Sequence, residues 1–70
     1  MEQARKNAIA QMLIERLEND QESAAMMARV SRKCGDESAA EANQKLVVNL
    51  EKKIVELRKE IVEEPKKEGE

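Results

Sequence analysis

The sequence predicts an all-α protein: an antiparallel helical hairpin with coiled-coil-like packing, completed by oligomerisation or by a partner. Three observations carry this expectation. The 70-residue chain has one proline, Pro65, and two glycines, Gly35 and Gly69, so nothing interrupts a helix except near the middle and the end. The intervening sequence is rich in Ala, Glu, Lys, Arg, Gln, Leu and Met, which lose little on entering a helix. Apolar residues recur at steps of three and four, and no stretch shows the alternation of β-branched and aromatic side chains that a strand needs. The expected layout is one domain over residues 1–64, with a helix at about 3–34, a turn at about 35–38 and a helix at about 39–64, then a flexible charged tail at 65–70.

In the first helix, Ala10, Leu13, Leu17, Ala24, Met27 and Cys34 follow the three/four stepping, with Asp20 and Ser31 occupying two positions of the same row. Asn19 with Glu22 three residues later also reads as a capping signal, which leaves open a break near Asn19. At the turn, Arg29, Arg32 and Lys33 suit the negative end of a helix dipole, and Gly35 suits a left-handed position just past the helix. Ser38-Ala39-Ala40-Glu41 then reads as a capping box that starts the second helix. Stop and start signals this close fold the two helices back on each other.

The second helix has the sharper pattern. Val47, Leu50, Ile54, Leu57 and Ile61 form a heptad row, and Glu41 with Lys45 gives a favourable i,i+4 pair. Folding the chain about residue 37 sets Met27 opposite Val47, Ala24 opposite Leu50, Leu17 opposite Leu57 and Leu13 opposite Ile61. Ser31 meets Asn43, polar against polar. Asp20 against Ile54 is the single conflict.

Further apolar residues lie outside these rows. Val48, Val55 and Val62 recur every seven residues, set off from the first row by Gln44, Glu51 and Arg58. The first helix likewise carries Ile9, Met12, Ile14, Met26 and Val30 beyond its own row. A two-helix hairpin buries one side of each helix, so these eight residues are the expected partner-binding surface. A chain this short has little core of its own, and nine of its apolar residues are alanine, leaving nineteen larger ones.

Composition narrows the function. The 13 basic and 15 acidic residues give a net charge of −2, spread evenly along the chain, without the basic excess that phosphate recognition draws on. There is no histidine, the commonest general base and metal ligand. The lone Cys34 rules out an internal disulfide and a multi-cysteine metal site within one chain, and fits a reducing compartment. No signal-peptide core or bilayer-spanning run is visible, so the expected location is the cytoplasm, away from membranes.

Each candidate site has a plainer alternative. Cys34, beside Arg32 and Lys33, has the setting of a reactive thiol, yet a small residue at a helix end accounts for it. Met12, Met26 and Met27 suit an adaptable partner groove or ordinary core filling. Arg29, Arg32 and Lys33 compensate the dipole, and no aromatic residue is present to stack a base. The groups Glu15/Glu18/Glu22 and Glu60/Glu63/Glu64 have the look of solvated helix faces rather than a walled acid–base or metal site. The expectation is therefore a non-enzymatic protein–protein interaction module (an adaptor, co-chaperone or assembly factor) that binds helices of a protein partner, a second copy, or both. No catalytic residue, metal or cofactor is expected. The alternative is a small dimeric helical regulator that contacts nucleic acid through Arg5, Lys6 and Arg29.

Overall fold

The structure, a computed structural model, describes residues 2–61. Helix α1 spans Glu2–Lys33 and helix α2 spans Glu37–Glu60, packed against each other as a hairpin. The expected extension of the second helix to residue 64, Val62 and the tail at 65–70 lie outside the described residues. Helix α1 is unbroken through Asn19 and Asp20, both exposed, so the capping signal there goes unused. Its 32 residues reach about 48 Å at 1.5 Å per residue.

The turn joins the two helices through one residue with two roles. Gly35 adopts φ 82°. Its N–H donates to the Arg32 carbonyl at 3.1 Å, and the Asp36 N–H donates to the Ser31 carbonyl at 2.8 Å, the paired bonds of a Schellman stop. The Asp36 side chain then caps α2 by accepting from the Ala39 N–H at 3.1 Å. This corrects the expected capping box: α2 begins at Glu37, two residues earlier than expected, because Asp36 caps the Ala39 N–H and so places Ser38 inside the first turn instead of ahead of it. Asp36→Ala is accordingly expected to cost about 1 kcal/mol of stability, with Ser38→Ala nearly neutral, read by chemical denaturation of each variant.

The inner row of α2 is the expected one. Leu50 and Ile54 are buried, Val47, Leu57 and Ile61 half-buried, and Ala40 and Asn43 continue the row toward the turn. On α1 the row differs from expectation. Ala10, Ile14, Ala24, Ala28 and Ser31 are buried, with Leu17 and Gln21 half-buried between them. Leu13, Met27 and Cys34, expected inside, are exposed.

Two rows on α1 share Ala10, Leu17, Ala24 and Ser31 and differ only in the residues between. One would bury Leu13, Asp20 and Met27; the other buries Ile14, Gln21 and Ala28. Asp20 in the seam would lose hydration without a counter-charge, at a cost of several kcal/mol. Gln21 avoids that cost, because its amide donates to the Val47 carbonyl at 3.1 Å and to the Glu51 carboxylate at 3.0 Å on α2. A rotation of α1 by about one residue thus removes the Asp20–Ile54 conflict. It also brings Ala28 inward beside Ala10 and Ala24, which both rows bury, and these small side chains let the helix axes come close.

Candidate interaction surface

The exposed apolar side chains make up the candidate site. Ile9, Met12, Met26 and Val30 on α1, and Val48 and Val55 on α2, stand in solvent as expected, Met12 being 67% exposed. Ile14 does not: at 2% exposure it belongs to the inner seam, which corrects its assignment to the partner-binding set. Val62 lies outside the described residues. Leu13, Met27 and Leu46 join the exposed set, and the sequence row had hidden the first two by placing them inside. The signal that would have exposed them was Asp20, whose misfit in that row marked the wrong phase.

These residues divide between different sides of the hairpin. Val48 and Val55 lie beyond Glu51 and Arg58, on the flank where α1 and α2 are tied together by polar bonds. There Gln21 donates to Glu51, and the Arg58 guanidinium donates to the Glu18 carboxylate at 2.9 Å. Both partners of the Arg58–Glu18 pair are about half exposed, so it orients the helices more than it stabilises them. The opposite flank carries no such polar closure among the described bonds. Instead Leu13, Leu17 and Leu57 floor an open groove of about 530 Å³, rimmed by Lys52, Lys53, Glu56 and Glu60. Ile9, Met12, Met26 and Val30 continue from that flank over the outer face of α1.

Among the described residues no group of three or more His, Cys, Asp or Glu is placed to hold a metal ion. Glu18 is engaged with Arg58, and Glu63 and Glu64 lie outside the described residues. Cys34 is a free, exposed thiol. No described helix is long and apolar enough to cross a membrane.

The fold defines a two-helix antiparallel hairpin with an alanine-rich seam and apolar outer faces. No protein-family model, no curated protein and no solved structure matches the chain.

Proposed function

We propose that this hairpin is a non-enzymatic protein–protein interaction module of the adaptor, co-chaperone or assembly-factor kind, binding helices of other polypeptides through its outer apolar faces. One observation carries the proposal. Among the described residues, only three apolar side chains larger than alanine are buried: Ile14, Leu50 and Ile54. Nine large ones are exposed: Ile9, Met12, Leu13, Met26, Met27, Val30, Leu46, Val48 and Val55. Covering such surface with another helix contributes about 25 cal/mol per Å² buried, and flexible methionines let one face accept differing partners. The exposed Cys34 thiol suits work in a reducing compartment such as the cytoplasm.

Within a single copy the described residues do not gather the bases that a nucleic-acid regulator would use. Arg5 and Arg29 stand roughly 36 Å apart along α1, with Glu15, Glu18 and Glu22 between them. The proposal is tested by photocrosslinking in cells, with a photoreactive residue at Val48 or Val55 and, as a control, at the solvated Glu22. Discrete protein adducts from the valine positions and none from Glu22 are the expected result. Absence of adducts at both valines, with the chain folded and abundant, would overturn it.

A further inference from the structure

Helix α1 leaves six large apolar side chains in solvent: Ile9, Met12, Leu13, Met26, Met27 and Val30. Their spacing is palindromic. The intervals 3, 1, 13, 1 and 3 read the same in both directions about a point between Asn19 and Asp20. Because α1 is a single unbroken helix, this order becomes geometry. Ile9 and Val30 fall on one line of a heptad lattice, and the pairs 12–13 and 26–27 fall midway between turns of that line, giving a stripe of period 3.5. The doublets 12–13 and 26–27 are centred 14 residues apart, roughly 21 Å along the axis.

A two-fold axis through the midpoint and perpendicular to α1 lays this stripe on itself with the chain direction reversed. Ile9 then faces Val30 of the second copy, and Met12-Leu13 faces its Met26-Met27, so both clusters are covered at once. Of the five charged residues between the clusters, Glu15, Arg16, Glu18, Asp20 and Glu22, the two that helical spacing puts in line with the stripe, Arg16 and Asp20, have opposite signs. Neither is engaged in an ion pair or hydrogen bond within the described hairpin. In the reversed pairing each Asp20 falls about one helical turn from Arg16 of the second copy, which balances four charges around the axis. The valine row of α2 lacks this property: it runs beside Lys45, Lys52 and Lys59, and two copies packed there would set lysine against lysine.

We infer that the outer stripe of α1 is a self-association interface, in which two copies of this chain pack antiparallel on a two-fold axis between Asn19 and Asp20, with Arg16 and Asp20 setting the register. This rests on the proposed function, that the outer apolar faces bind polypeptide, and it assigns the α1 face to a second copy while leaving the α2 valines for another helix. Six large side chains per copy cover on the order of several hundred Å² of apolar surface, which approaches a small specific interface.

Sedimentation equilibrium of the full chain tests this, with helix content followed by circular dichroism. The wild type is expected to be a dimer. Met12→Glu with Met26→Glu is expected to be a helical monomer, whereas Val48→Glu with Val55→Glu stays dimeric. Arg16→Glu alone should weaken the dimer, and adding Asp20→Arg should restore it. In a Cys34→Ser background, Asn19→Cys should oxidise to a covalent dimer and Lys45→Cys should not. A wild-type monomer at the highest attainable concentration would overturn the inference, as would a dimer indifferent to Met12 and Met26. Either outcome leaves the proposed function to be decided separately by the adducts at Val48 and Val55.

Discussion

Replacing Ile54 with alanine is expected to destabilise the hairpin by about 2–5 kcal/mol, enough to leave much of the chain unfolded at room temperature. Ile54 is 1% exposed and is the largest fully enclosed side chain among the described residues. The loss has two parts: the transfer free energy of the missing methylenes, and a cavity that two rigid helices close only partly. Domains of this size rarely hold more than about 3–5 kcal/mol in total, so no reserve absorbs the change. The neighbouring Val55, 40% exposed on the outer face, supplies the control. Val55→Ala should change the stability of the hairpin by less than about 0.5 kcal/mol. Urea denaturation followed by circular dichroism, at one fixed protein concentration, separates the two.

The second large effect runs in the opposite direction, from too much volume. Ala28 is 4% exposed in the seam, and a groove lined jointly by Ala25, Ala28, Gln44 and Val47 places it beside α2. Ala28→Leu inserts three carbons where the side chain is sealed by the opposite helix. The expected cost is about 1–3 kcal/mol, through forced rotamers or separation of the helices near the turn. Leucine is nearly as good a helix former as alanine, so propensity does not confuse the result. Ala42→Leu, at an exposed position of α2, should be close to neutral in the same denaturation assay. If leucine at 28 were tolerated as easily as at 42, α1 would have to be rotated toward the row containing Met27.

The contrast between the helices explains what the amino-acid order makes legible. In α2 the row from Val47 to Ile61 stands alone, since Gln44, Glu51 and Arg58 separate it from the valines, and the structure uses that row. The turn was legible through Gly35, whose left-handed backbone few other residues adopt cheaply. The phase of α1 was not, because two rows share Ala10, Leu17, Ala24 and Ser31, and the larger Leu13 and Met27 favour the wrong one. Hydrophobicity alone cannot separate them; the polar member does. Gln21 finds two acceptors on α2, while Asp20 remains in water. The same rotation hides Ile14 and exposes Leu13 and Met27, so the symmetric stripe on α1 emerges only after the helices are packed. The N-cap was misplaced for a smaller reason: Asp36 and Ser38 are both good capping residues, and the tight stop at Gly35 favours the nearer one.

The central claim is that the apolar stripe left outside the seam on α1 is surface for self-association, and that the hairpin gains stability when a second copy covers it. Thermal melting of the purified chain over a hundredfold range of concentration measures this most directly, because binding confined to the folded state raises the midpoint by mass action. The expected result is a midpoint that climbs steadily with concentration in the wild type and stays flat in the Met12→Glu, Met26→Glu variant. A sharp wild-type transition at one temperature across the whole range, with sedimentation showing a single chain throughout, would contradict it.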